Sequence, residues 1–365
     1  MKYYIIAGEA SGDLHASNLV RELKKLDPQA EFRAWGGDLL QEQGATLVKH
    51  YRELAFMGFI EVVMHLRTIL GNISVCKNDI AQWKPDAVIL VDYPGFNLRI
   101  APAVKEMGIP VFYYISPQVW AWKQSRVHTI RQVVDRMFCI LPFEKDFYLK
   151  FGYETDFVGH PLLDAIAAWP DRRAVDDDGR KIIALLPGSR KQEIKTMLPV
   201  MLDAAKKFPV YRFIIAGAPS QAEAFYKEVS GESQVEIVFG KTYSLLNQSY
   251  AALVTSGTAT LETALFNVPE VVCYKGSAVS YQIAKRLVKV DYISLVNLVM
   301  NREVVKELIQ QEMTAANMAS ELKKITEDTT RRESLLLDYA SLREKLGGTG
   351  ASEKTARLIL ERLKK

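Results

Sequence analysis

The chain has 365 residues, 48% of them hydrophobic and 25% charged, which describes a globular protein long enough for two cores, since single cores stop growing near roughly 250–300 residues. Its 47 basic and 43 acidic side chains leave a formal net charge of +4, too little to argue for nucleic acid but compatible with an anionic substrate or an anionic membrane face. Three widely spaced cysteines, five histidines without metal-ligand pairing and an opening Met1–Ala7 too short for a signal peptide lead us to expect a reduced, cytoplasmic protein with neither metal nor cofactor.

In chain order, the apolar run Tyr3–Ala7 leads into Gly8-Glu9-Ala10-Ser11-Gly12-Asp13 and a helical stretch, Leu14–Leu26. Gly8 and Gly12 permit a tight turn and close approach of a ligand, and Ser11 and Asp13 suit a helix N-cap. Two readings stand here: Asp13 caps its helix and Glu9 is a solvated loop carboxylate, or both lie at the mouth of a ligand cleft. From Ala55 to Leu70 the apolar residues crowd together, among them Phe59, Ile60, Val62, Val63, Leu66, Ile69 and Leu70. This segment is too short and too charged to span a bilayer, yet more apolar than one buried helix face requires. It fits a surface helix dipping into lipid, an all-round buried helix or a dimer face.

The strand Ala87–Val91 is apolar throughout and Asp92 follows it directly, at the carboxyl end where parallel α/β sheets place their active sites. A carboxylate there can take the proton of an attacking sugar hydroxyl; it can equally cap the helix Asn97–Met107 or accept N–H bonds in the Pro94-Gly95 turn. The next strand, Val111–Ile115, leads into Ser116-Pro117-Gln118-Val119-Trp120-Ala121-Trp122-Lys123, whose two tryptophans either pack or offer a platform to a sugar. A fourth strand, Met137–Leu141, follows. Between Asp164 and Gly179 a proline, an acidic Asp176-Asp177-Asp178-Gly179 turn and few large apolar residues have the composition of a linker. The expected division is a first domain over 1–165, a linker over 166–180, a second domain over 181–345 and a terminal helix over 346–365.

The second half repeats the alternation, with strands at Ile182–Leu186, Arg212–Ala216, Val235–Phe239, Ala252–Val254 and Val271–Tyr274 and helices at Leu198–Phe208 and Thr258–Phe266. Two strands run into glycine-bearing loops, Leu186-Pro187-Gly188-Ser189-Arg190 and Thr255-Ser256-Gly257-Thr258, where exposed backbone N–H groups can hold phosphate. Arg190 adds a cationic fork, and Glu262, one turn down the second helix, is placed to accept hydrogen bonds from sugar hydroxyls. Neither loop has the lysine of a G-x-x-x-x-G-K-[ST] motif, so a nucleotide diphosphate is expected rather than ATP hydrolysis. The fold class that results is α/β, with two Rossmann-like, doubly wound domains facing one deep cleft. The last helix carries Ala356, Ile359, Leu360 and Leu363 on one face, which packs back on the first domain or onto a partner subunit.

Several strings go beyond a fold-level analogy: Ala7-Gly8-Glu9-Ala10-Ser11-Gly12-Asp13, Met57-Gly58-Phe59-Ile60-Glu61-Val62, Ser116-Pro117-Gln118-Val119-Trp120-Ala121-Trp122, Leu141-Pro142-Phe143-Glu144, Phe157-Val158-Gly159-His160-Pro161-Leu162, Leu186-Pro187-Gly188-Ser189-Arg190, Ser256-Gly257-Thr258-Ala259-Thr260-Leu261-Glu262 and Tyr292-Ile293-Ser294-Leu295-Val296-Asn297-Leu298. In this order they resemble the lipid-A-disaccharide synthase family, inverting glycosyltransferases of family 19 with the GT-B fold. The resemblance runs from the first strand to about Gln311.

It implies transfer of 2,3-diacylglucosamine from UDP-2,3-diacylglucosamine to the 6-hydroxyl of 2,3-diacylglucosamine 1-phosphate (lipid X), giving a β-1,6-linked lipid A disaccharide 1-phosphate and UDP. It further implies a catalytic role for Asp92, Arg190 at the diphosphate, Glu262 at the ribose and Asn297 in the cleft; with the local reading above, Glu9, Ser11, Asp13 and Asn97 are expected on the acceptor side and Arg190, Ser256, Gly257, Thr258, Glu262 and Asn297 at the UDP. Phe59, Ile60, Val62, Val63, Leu66, Ile69 and Leu70 become a lipid-facing patch on the cytoplasmic surface of the inner membrane, and a homodimer is compatible with the same features. Gly95 stands where the family often has a second acidic residue, so a two-carboxylate mechanism using that position is not available. Val296 replaces a proline common before the asparagine. Beside this reading stand another GT-B UDP-sugar enzyme, such as a UDP-N-acetylglucosamine 2-epimerase, and a non-catalytic UDP-sugar-binding protein at the membrane.

Overall fold

Two runs of alternating strand and helix make up the computed structural model, which describes residues 1–54, 66–170, 173–231, 233–277, 281 and 290–364. They form two compact units, Met1–Ala168 together with the chain from Leu346 onward, and Trp169–Lys345.

In the first unit the strands are β1 (Lys2–Ala7), β2 (Glu31–Gly36), β3 (Thr46–His50), β4 (Ala87–Val91), β5 (Val111–Tyr114), β6 (Arg136–Cys139) and β7 (Asp156–Phe157). They lie in the order β3-β2-β1-β4-β5-β6-β7 and pair in parallel throughout. Such a sheet is covered on both faces, which is why β1 from Tyr3 onward and all of β4 read as unbroken apolar runs and are fully buried. The strand order reverses between β1 and β4, so the carboxyl ends of these two strands flank the crevice where open α/β sheets bind ligands.

The second unit repeats the design with β8 (Ile182–Leu186), β9 (Arg212–Gly217), β10 (Glu236–Phe239), β11 (Ser249–Thr255), β12 (Glu270–Tyr274) and β13 (Lys306–Ile309), in the parallel order β10-β9-β8-β11-β12-β13. Its order reverses between β8 and β11, the two strands that feed the glycine loops.

The terminal helix, Ala351–Leu363, packs back on the first unit against the helices Ala10–Leu26 and Pro161–Ala167. Asp164 holds its start by accepting from the N–H groups of Gly350 at 2.6 Å and Ser352 at 2.9 Å, and Arg136 donates to the Leu358 carbonyl at 3.0 Å. Within the stretch expected as linker, Ala174 and Val175 are buried in the second core, and both N–H groups donate to Oε1 of Gln248.

Of the apolar patch, Phe59, Ile60, Val62 and Val63 lie outside the described residues. Leu66 opens the helix Leu66–Trp83, Ile69 packs against the first core, and Leu70 and Val75 are each 52% exposed. Among the described residues no helix is long and apolar enough to cross a membrane.

Candidate active site

At the crevice of the first unit, β4 ends in two consecutive residues with left-handed backbone, Asp92 (φ 44°) and Tyr93 (φ 48°). For side chains other than glycine this is uncommon, and each such residue costs of order 1–3 kcal/mol unless its surroundings enforce it. Here they do. The Asp92 N–H donates to the Tyr114 carbonyl at 3.1 Å, and the Asp92 carbonyl accepts from the Asn97 amide and from the Tyr113 hydroxyl, both at 2.6 Å. The Tyr93 ring lies over Gly8, where a Cβ would come within 2.3 Å of it, so the glycine after β1 is required by this close approach.

The result is a half-buried carboxylate held at the sheet's switch point. Burial, and then the charge of Glu9 from the loop after β1, push the Asp92 carboxyl from 3.8 up to about 6, against a lowering by the Tyr93 N–H. A carboxylate in that range is matched to proton abstraction near neutral pH.

The other acceptor-side residues divide. Ser11 is exposed at the start of its helix and Glu9 is half-buried. Asp13 is committed elsewhere: its buried carboxylate accepts from the N–H groups of Gly37, Leu39 and Leu40 and caps the helix Asp38–Glu42. Burial raises its pKa and those three bonds lower it. Asn97 is fully buried and donates to the Val91 and Asp92 carbonyls, so it acts on the position of Asp92.

The loop after β5 separates its two tryptophans. Trp120 packs inward, edge-on to Phe143 with its indole N–H on Glu144 Oε1 at 3.2 Å. Glu144 also accepts from Ile140 and Leu141, and burial raises its carboxyl to about 7. Trp122 turns outward and is 43% exposed, so packing explains the first ring and not the second.

In the second unit the loop after β8 is already supplied with an anion. Glu193 Oε2 accepts from the N–H groups of Ser189 and Arg190, and its Oε1 lies 3.1 Å from the Arg190 guanidinium. A Cβ at Gly188 (φ 105°) would stand 2.7 Å from that carboxylate. The loop after β11 is different. Gly257 has φ 155° and ψ −163°, a backbone open essentially to glycine, and among the described residues no side chain caps the helix Thr258–Leu265 that it starts. Gly257 and Thr258 are exposed, and the Ser256 hydroxyl donates to the Ile293 carbonyl at 3.0 Å. An uncapped N-terminus of this kind offers free N–H groups and a partial positive charge to a phosphate.

One turn along, Glu262 is half-buried and accepts from the Tyr243 hydroxyl at 3.1 Å, leaving Oε2 for another donor. Burial raises the Glu262 pKa and the tyrosine lowers it. Asn297 is fully buried. Its amide donates to the Val305 carbonyl and to Glu307, and its oxygen accepts from the N–H groups of Val304 and Val305. Its side chain therefore shapes the loop that meets Ser256. Tyr113, Tyr243, Glu193 and Glu307 had not been singled out from the sequence. Only Glu193 carried a signal, a glutamate three residues past a helix start.

Two parallel sheets, each with a glycine-bearing loop at its own switch point, make up a two-domain α/β protein of the GT-B fold. The UDP-GlcNAc 2-epimerase of Neisseria meningitidis bound to UDP-GlcNAc shares the fold with a TM-score of 0.65 at 14% identity, over 100% of this chain and 99% of that one. The glycotransferase of kitacinnamycin does so with a TM-score of 0.65 at 14% identity, over 99% of each chain. The family model described as lipid-A-disaccharide synthetase matches residues 3–361. The lipid-A-disaccharide synthase of Geobacter metallireducens is 41% identical over 372 residues, 99% of this chain and 97% of the relative. The chain belongs to the lipid-A-disaccharide synthase family, and its activity is that of a glycosyltransferase in lipid A biosynthesis.

Proposed function

We propose that the chain transfers 2,3-diacylglucosamine from UDP-2,3-diacylglucosamine to the 6-hydroxyl of 2,3-diacylglucosamine 1-phosphate, with Asp92 as the general base. The observation that carries this assignment is the Asp92 carboxylate at the β4 switch point, fixed by two hydrogen bonds to its own carbonyl and raised to about 6. The acceptor hydroxyl gives its proton to Asp92 as its oxygen bonds to the anomeric carbon. The bond from that carbon to the UDP oxygen breaks, with inversion, in the same displacement. Charge developing on the leaving diphosphate is met by the open N-terminus of Thr258–Leu265 and by Arg190, while Glu262 takes the nucleotide ribose.

Both substrates carry acyl chains, and the reaction is assigned to the cytoplasmic surface of the inner membrane. Exposed Leu70 and Val75 on the helix Leu66–Trp83 support a lipid-facing role for the apolar segment that precedes them. Replacing Ile60, Val63 and Leu66 by serine should release the protein from liposomes while UDP still binds; persistent liposome association would return the segment to a core or to another interface.

The central test is UDP release from UDP-2,3-diacylglucosamine in detergent micelles, with and without 2,3-diacylglucosamine 1-phosphate, in EDTA and then in magnesium. Acceptor-dependent release with a disaccharide product is the expected result. Release without acceptor, or none with acyl chains of several lengths, would move the assignment to another UDP-sugar reaction or to a binding protein.

A further inference from the structure

The acceptor just proposed bears a phosphomonoester, with a charge of roughly −1.5 to −2 at neutral pH, and this inference rests on that reading. The crevice it must enter carries Asp92 and Glu9, whose charges already act on one another. A dianion there needs fixed cations nearby.

The first unit supplies them one strand over. β5 pairs with β4 in register, Leu90 against Tyr113 and Val91 against Tyr114, so the segment after β5 rises from the same sheet edge as Asp92. The two edges are tied by the Asp92 N–H on the Tyr114 carbonyl and the Tyr113 hydroxyl on the Asp92 carbonyl. On that segment Trp122 is turned outward and gathers two cations: Lys123 Nζ lies 4.4 Å from the ring centroid and the Arg126 guanidinium carbon 5.8 Å. Among the described residues neither has a carboxylate within ion-pair distance, whereas Arg52, after β3, is paired with Asp38. The two cations are joined by a single turn, the Arg126 N–H donating to the Lys123 carbonyl at 3.0 Å, and Lys123 itself has φ 53°. Two like charges gathered on one ring without a counter-charge, beside an acidic crevice, are an arrangement that an anion completes. The positive field of Arg126 also reaches the Tyr113 hydroxyl that holds Asp92.

We propose that Lys123 and Arg126, ordered on Trp122, form the subsite that takes the phosphomonoester of the acceptor sugar and so select a phosphorylated acceptor over a neutral one.

The test compares the phosphorylated acceptor with its dephosphorylated counterpart in detergent micelles, by equilibrium binding without donor and by initial rates with it. Wild type, Arg126→Lys, Arg126→Ala and the Lys123→Ala/Arg126→Ala double variant are measured, and circular dichroism with thermal unfolding reports that each variant is folded. The expected result is a preference of about tenfold or more for the phosphorylated acceptor in wild type, lost in the double variant through a higher KM for that acceptor only and partly restored by lysine at position 126. A double variant that keeps the preference, or weakens both acceptors equally, overturns the subsite. So does a defect confined to binding of phosphatidylglycerol vesicles, which would assign the cations to the membrane surface. Absence of transfer to either acceptor would overturn the proposed reaction instead, and the binding comparison would still decide the subsite. There, equal wild-type affinity for the two acceptors overturns it.

Discussion

The phenolic hydroxyl of Tyr113 donates to the backbone carbonyl of Asp92 at 2.6 Å, so a residue on β5 fixes the left-handed turn at the end of β4. Asn97 reaches the same oxygen from the following helix. Two donors on one carbonyl, with the Asp92 N–H bonded in turn to Tyr114, over-determine a backbone that an aspartate would otherwise leave. Tyr113 and Asn97 are thus positioning residues for the proposed base.

Tyr113→Phe should lower kcat by about tenfold, since it removes one buried hydrogen bond from the clamp while the ring still fills its site. KM for the UDP-sugar, proposed to bind at the other unit's loops, should stay within about twofold. Initial rates at saturating donor check this, and an unchanged kcat would show that Asn97 alone suffices.

The pH dependence follows from Asp92. With its carboxyl at about 6, the base form accumulates as pH rises, so kcat/KM should climb through an acid limb centred near that value and flatten above it. Glu9→Gln removes the repelling charge and should move the limb to lower pH. Asp92→Asn should lose about a hundredfold or more in turnover while UDP affinity is retained.

The same shift has a stability consequence of opposite sign to that of a paired carboxylate. The folded chain binds this proton more tightly than the unfolded one. The penalty is nearly absent below about pH 3, grows as pH rises from 3.8 through about 6, and levels off above that. At pH 8, Asp92→Asn should therefore be more stable than wild type by up to about 3 kcal/mol, with the difference shrinking to about 0.5 kcal/mol at pH 4. Chemical denaturation at the two values decides it; equal stability at pH 8 would mean that solvent reaches the carboxylate freely.

What the sequence made legible was set by burial. Ala87–Val91 and Ile182–Leu186 stand out because strands covered on both faces are apolar throughout, and each pointed at the loop beyond it. The outer strands β2 and β3 did not stand out: Glu31 and Arg33 interrupt one, and Thr46, Lys49 and His50 leave the other only half-buried. The four-residue β13 is framed by charge in the same way. At the site, Asp92 was legible by its place after a strand. The commitment of Asp13 was not, because its three partners lie 24 to 27 residues away on another element. The same holds for Asn97, whose amide turns back on the strand before it, and for Asn297, whose partners sit on the loop it encloses.

Glu262 and Tyr243 give a paired prediction on the donor side. Glu262→Ala should weaken UDP binding by about tenfold or more, since a hydrogen bond to a charged group contributes roughly 1.5–3 kcal/mol. Tyr243→Phe leaves the carboxylate in place but releases Oε1, so the loss should be smaller, about two- to fivefold, and should appear in the donor KM with kcat unchanged. Calorimetric titration of UDP separates the two. Unchanged affinity in Glu262→Ala would remove that residue from the ribose site.

Arg190 and Glu193 supply the last test, because the loop proposed to hold phosphate is filled by the chain's own carboxylate. Glu193 accepts from the Ser189 and Arg190 N–H groups and holds the guanidinium at 3.1 Å. A diphosphate approaching that loop meets like charge and must share or displace these donors. The Arg190 side chain is 66% exposed, so the pair is weak enough to part. Glu193→Gln keeps the shape and one acceptor but removes the charge. It should tighten UDP binding about two- to fivefold at low salt, less as salt screens the repulsion, whereas Arg190→Ala should weaken UDP about tenfold. If Glu193→Gln instead weakens UDP as Arg190→Ala does, the carboxylate acts with the arginine, holding the guanidinium where the phosphate needs it.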